Sequence, residues 1–217
     1  MHLGQTLHES GSMDQDASIK RATFIQESTE IREVFSFANP VEILSAIKVY
    51  SCSWYGSVLW NLRGEKATQV FNTWNTCVKL AWNGPRQAHT YFVDHLLGCG
   101  FTSVKSDILA QYVGFFKNLR ASPSMEVRVM ANFSGRNVST VTGSNLDYIK
   151  KETQLDPWVC SSKQVKSAMN ANLAPLPTQS SWRLPFLGKL LASRGEHFYQ
   201  CKDTNWISDQ IDSLCIN

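Results

Sequence analysis

The chain has 217 residues, 43% of them hydrophobic and 18% charged, with a net charge of +3. That length allows one domain or two small ones, and the apolar share argues against a wholly disordered chain. No apolar run reaches the ~18 residues of a bilayer span, and Met1–Gln15 lacks the basic flank and apolar stretch of a secretory signal, so no membrane partner and an intracellular location, cytoplasmic or nuclear, are expected.

Helix punctuation is plentiful and β-type alternation scarce, which predicts a mainly α fold. A first helix is expected over Asp14–Phe37, with Ser12 as N-cap and Asp14 and Asp16 complementing the positive helix start. Ile19, Ala22, Ile25, Ile31, Val34 and Phe35 supply its apolar stripe. Asn39-Pro40 is a second start signal, followed by Ile43, Leu44, Ile47, Tyr50, Trp54, Tyr55 and Val58 at helical spacings. The third segment is the clearest: Ala67, Val70, Phe71, Trp74, Cys77, Val78, Ala81 and Trp82 form one wide stripe, stopped by Asn83-Gly84-Pro85. Three such helices with short connections should bundle, because none can bury its stripe alone. Shorter helices are predicted over Tyr91–Leu97, Ser103–Leu119, Pro123–Phe133 and Asn145–Glu152. Breakers crowd Ala174–Ser181, a linker, and weaker helices follow at Trp182–Ala192 and Trp206–Leu214.

The chemistry-bearing residues are scattered. Six cysteines (Cys52, Cys77, Cys99, Cys160, Cys201, Cys215) form no C-x-x-C pair, which favours free thiols over a zinc ribbon or disulfide framework. No phosphate-cradling glycine loop and no nucleophile elbow occurs. Asp94, His95 and Cys99 offer at most two plausible metal ligands and read as packing residues. Asp14/Asp16 and Asp209/Asp212 are the closest carboxylate pairs, and they read as helix-start charge and a solvated face, not as a two-metal site. No catalytic residue, metal, cofactor or small-molecule substrate is therefore expected. Charge is uneven: residues 61–200 hold sixteen basic against eight acidic side chains, +8, with −3 before and −2 after. A basic middle suits a polyanionic partner. Trp60, Trp82 and Trp158 border basic residues and read as core, with base stacking as the alternative.

Several phrases in order carry a resemblance. They are Leu3-Gly4-Gln5-Thr6-Leu7, Gly11-Ser12-Met13 with Asp16, Lys20-Arg21-Ala22, and Tyr50 with Tyr55-Gly56-Ser57 and Leu59-Trp60-x-Leu62. Next come Trp74-Asn75, Val78-Lys79-Leu80, Trp82, Gly84-Pro85-Arg86 and His89-Thr90-Tyr91, and then Gly135-Arg136-Asn137 and Thr142-Gly143-Ser144-Asn145 with Ile149. Across residues 3–150 this series resembles the thumb and C-terminal region of LINE-type (non-LTR) retrotransposon reverse transcriptases.

The resemblance implies a three-helix thumb-like bundle followed by further short helices, with Leu3–Leu7 as a strand left from the palm edge. It divides the chain into a palm-edge remnant (1–12), a helical bundle (13–84), a helical extension (85–173) and a linker with a weakly structured tail (174–217). The parent family is an RNA-directed DNA polymerase, but its palm aspartates have no counterpart in this sequence. The implied role is non-catalytic contact with RNA or an RNA–DNA duplex, phosphates being met by Arg63, Lys66, Lys79, Arg86 and His89, and secondarily by Lys150 and Lys151. Two alternatives stay open: a transposon relic with no selected activity, and a truncated gene model of an active polymerase.

Overall fold

The structure is a computed structural model that describes residues 13–38, 40–51, 53–81 and 103–171. Its elements are α1 (Asp14–Val34), α2 (Pro40–Tyr50), a 3-10 turn (Ser57–Leu59), α3 (Glu65–Ala81), α4 (Val104–Arg120), α5 (Met125–Arg136), α6 (Val141–Thr153) and α7 (Ser162–Ala171). The protein is mainly helical, and no strand occurs among the described residues. The Leu3–Leu7 strand, the Tyr91–Leu97 helix and everything expected beyond residue 173 lie outside the described residues.

The chain divides into two compact units. Among the described residues the first comprises 13–22, 53–72 and 104–171, and the second 23–38, 40–51, 73–81 and 103. Helices α1 and α3 each give their first half to the first unit and their second half to the second.

In the second unit the core is made by Phe24 of α1, Ile43, Leu44 and Ile47 of α2, and Trp74, Cys77, Val78 and Ala81 of α3, all buried. Each fully buried large aliphatic or aromatic side chain contributes about 1.5–3 kcal/mol against leaving it in water. Lys48 Nζ sits 4.7 Å from the Trp74 ring centroid and joins α2 to α3. Cys77 lies beside Ser28 and within the field of Arg32, joining α3 to α1. Burial pushes the Cys77 thiol up to about 11, while Ser28 and the Arg32 charge oppose part of that rise. Within this unit these contacts link α2 to α3 and α3 to α1.

Two details depart from the sequence reading. Helix α1 stops at Val34, with a turn over Phe35–Phe37, and α2 stops at Tyr50 instead of continuing towards Val58. The buried face of α1 runs through Asp16, Ala17, Phe24 and Ser28, whereas Ile19, Ile25, Val34 and Phe35 are exposed. Polar partners decide that face: the Asp16 carboxylate accepts the Trp60 indole N–H at 2.7 Å in a fully buried contact, so rotating the isoleucines inward would break a charge-assisted hydrogen bond.

The first unit is organised around α4, which buries Ile108, Leu109, Tyr112, Val113 and Phe116 and packs against the 3-10 turn, α5 and α7. The turn needs Gly56, whose φ of 92° is the left-handed region that costs a side-chain-bearing residue strain. The later helices start on side-chain caps. Ser124 Oγ accepts from Val127 N–H at 3.2 Å for α5, and Thr140 Oγ1 from Gly143 N–H at 3.0 Å for α6. Helix α7 opens with a reciprocal box: Ser161 Oγ accepts from Gln164 N–H at 3.2 Å while Gln164 Oε1 accepts from Ser161 N–H at 2.7 Å. Helix α5 buries Ala131 and Gly135, and leaves Met125, Val129, Met130 and Phe133 exposed.

Candidate nucleic-acid interface

The site is built in the first unit, where a loop is fastened to a helix by one side chain. Asn145 on α6 is fully buried; its Oδ1 accepts from Leu62 N–H at 2.8 Å and its Nδ2 donates to the Trp60 carbonyl at 2.8 Å. Both amide hydrogen-bonding edges are thus committed to the backbone of Trp60–Leu62, whose own side chains Trp60 and Leu62 enter the core. Tyr112 lies against Asn145 and Thr142; burial raises its phenol, and those two side chains counter the rise. The segment has no freedom to slide, and that fixes where the next residue, Arg63, emerges.

Arg63 emerges beside Asp147, two residues beyond the clamp. Asp147 meets Arg63 Nη1 at 3.6 Å and Lys151 Nζ at 2.8 Å. The Lys151 hydrogen bond, opposed by desolvation and helped by the fields of Lys151, Arg63 and Lys150, holds the Asp147 carboxyl below the usual carboxylate range. The spacing of Asp147 and Lys151 is one helical turn, so part of the pairing is local to α6. Arg63 is brought in by the tertiary fold.

Asp147 and Lys150 also line an open cavity of about 410 Å³ whose wall is completed by Arg136 at the end of α5 and by Asp156 and Trp158 after α6. Three cations (Arg63, Lys150, Lys151) therefore neighbour the Asp147 carboxylate, and the cavity wall adds one more of each sign, Arg136 and Asp156. Other basic side chains of this unit are tied into the fold. Lys105 bonds Glu152 at 2.7 Å beside the Tyr148 ring. Burial pulls its ammonium down, but the Glu152 and Tyr148 contacts outweigh that and leave it above its ordinary value. Lys166 pairs with Asp107 at 2.7 Å. Lys117, Arg120 and Arg128 donate to the backbone carbonyls of Val159, Trp158 and Ser122.

Of the phosphate-contact residues expected from sequence, Arg63, Lys150 and Lys151 come together. Lys66 is half-buried in the first turn of α3, in the same unit. Lys79 belongs to the second unit, half-buried, with desolvation pulling its ammonium below the ordinary lysine value. Arg86 and His89 lie outside the described residues, as do Trp82, Asp94, His95, Cys99, Asp209 and Asp212. Base stacking on Trp60 is corrected: the ring is 1% exposed and its N–H is spent on Asp16. Trp158 is half-buried, with the Arg120 guanidinium 4.8 Å from its centroid and Phe116 edge-on at 5.1 Å. Sequence reading missed Arg136 as a member of the cluster. Its place in a Gly-Arg-Asn run just past an amphipathic helix was a sign, but only the packing of α5 on α6 sets it across the cavity from Lys150.

The chain matches no protein-family model, and comparison with curated proteins and with solved structures finds no similar protein. No described helix is long and apolar enough to cross a membrane.

Proposed function

We propose that this chain is the thumb and C-terminal part of a LINE-type reverse transcriptase, and that it holds RNA or an RNA–DNA hybrid without carrying out the polymerisation chemistry itself. The ordered series of sequence phrases supports the family reading. The observation that carries the binding role is the convergence of Arg63, Lys150 and Lys151 at Asp147, with Arg136 on the wall of the adjoining cavity. Asp147 pairs with Arg63 and Lys151, and with Asp156 it offsets two charges of the four, so a surplus of two cations remains on this face. Such a face meets phosphates, and it positions a strand without reading its bases.

Fluorescence anisotropy with a labelled RNA–DNA hybrid, at two salt concentrations, tests this. Neutralising about two phosphates predicts a log–log salt slope of roughly −1.4 to −1.8. The charge reversal Lys150→Glu with Lys151→Glu should weaken binding by tenfold or more, whereas Lys163→Glu, an exposed lysine of α7, should leave it within twofold. Absence of binding by the parent chain, or equal losses from both variants, would overturn the proposal.

A further inference from the structure

The cavity between the end of α5 and α6 has features that phosphate contact alone does not require. Its charged rim carries Arg136 and Lys150, and among the described residues neither has a carboxylate within 4 Å, in contrast to Arg63, Lys105, Lys151 and Lys166. Its other walls combine the apolar side chains Val138, Leu146, Pro157 and Trp158 with the carboxylates Asp147 and Asp156. The volume, about 410 Å³, lies within the range of small-ligand sites. The walls are stiff. A Cβ on Gly143 would land on the Asn137 carbonyl oxygen, and one on Gly135 would stand 2.8 Å from Phe116 Cζ and 3.1 Å from Trp158 Cη2. Gly143 thus lets the start of α6 close on the Ser134–Asn137 backbone at the end of α5, and Gly135 lets α5 close on Phe116 of α4 and on Trp158.

We propose that this cavity receives one unpaired nucleotide of a bound RNA strand. The base enters between the apolar side chains, and Arg136 and Lys150 take its phosphate at the rim. Asp156 accepts from Trp158 N–H at 3.0 Å, which fixes the turn carrying the indole and sets a carboxylate at the wall where ribose hydroxyl or base amino hydrogens can be accepted. This deepens the proposed function and rests on it. The surface cluster alone would bind any duplex, whereas the cavity makes a bulged or single-stranded nucleotide preferred.

The test separates the two readings. Two RNAs of equal length and charge are compared by anisotropy, one a perfect duplex and one with a single bulged nucleotide. Val138 is exposed at the cavity wall, so Val138→Trp fills the space without changing charge or the buried core. The parent chain should bind the bulged RNA about tenfold or more tightly than the perfect duplex, as expected for one base taken from water onto apolar and aromatic surface. In Val138→Trp that preference should vanish while duplex affinity and salt slope stay as in the parent. A circular dichroism melt like the parent's shows that the variant folds, and should it not, Val138→Phe replaces it. Equal affinity of the parent for both RNAs, or a preference that survives the filled cavity, overturns the cavity assignment and leaves the basic face intact. No salt-dependent binding of either RNA overturns both.

Discussion

Asn145→Ala should be among the most damaging single changes in the first unit, and its cost can be worked from the structure. The substitution removes an acceptor from Leu62 N–H and a donor from the Trp60 carbonyl, both at 2.8 Å and both buried with the fully enclosed Asn145. An unsatisfied buried backbone group costs about 1–3 kcal/mol, so two cost about 2–6 kcal/mol before any small cavity is counted. Domains are stable by only about 5–15 kcal/mol, so the loss is a large fraction of the total. With a urea slope of about 2 kcal/mol/M, the midpoint followed by tryptophan fluorescence should fall by about 1–3 M. Ser18→Ala, which removes an exposed bond from Ser18 Oγ to the Asp14 carbonyl, should move it by less than about 0.3 M. A shift below 0.5 M for Asn145→Ala would refute the clamp. A parent chain that unfolds without a cooperative transition would refute the fold-level reasoning and favour the relic reading.

The same logic makes further predictions. Trp60→Phe deletes the indole N–H that Asp16 accepts at 2.7 Å, and should cost about 1.5–3 kcal/mol in the same titration; a neutral result would mean the buried carboxylate is satisfied without it. Gly143→Ala drives a methyl onto the Asn137 carbonyl oxygen and should destabilise by about 1–3 kcal/mol or more, with loss of helicity by circular dichroism; a change under 0.5 kcal/mol would show that the start of α6 yields. Cys77 is a thiol whose folded value is raised to about 11, so its stabilisation is complete below its unfolded value near 9 and is lost as pH rises from there towards 11. The thermal midpoint should fall over that window less in Cys77→Val than in the parent, and a disulfide reagent at pH 8 should label Cys77 only in denaturant; prompt labelling of the native thiol would contradict its burial.

The parts of the fold that were legible in the sequence are those whose burial follows period alone. The α3 stripe from Ala67 to Ala81 is buried at every position named for it, because one wide apolar face has a single way to turn. The α1 face was misread because its inward side carries Asp16 and Ser28, polar groups buried beside Trp60 and Cys77, which lie more than forty residues away in the chain. The start of α6 was placed four residues late, since Thr142-Gly143-Ser144 looks like a turn; in the fold Thr140 caps the helix and Gly143 is demanded by close approach to Asn137. Helix α7 was missed although Ser161-x-x-Gln164 spells a capping box, because Val165 alone supplies its buried apolar anchor and no stripe announces it. In the candidate site, Lys150 and Lys151 were visible as a helical pair near Asp147. Arg63 and Arg136 joined them only through the Asn145 clamp and the α5–α6 packing, which no local pattern encodes.

The measurement that tests the central claim most directly is a crosslinking map. The full chain is bound to an RNA–DNA hybrid whose RNA strand carries photoreactive uridines, irradiated, digested and read by mass spectrometry. The account predicts adducts concentrated in peptides holding Arg63, Arg136, Lys150, Lys151 and Trp158, suppressed by raised salt. Adducts confined to peptides holding Lys48 or Lys79 of the second unit, or no adduct above that of a non-binding control protein, would contradict it.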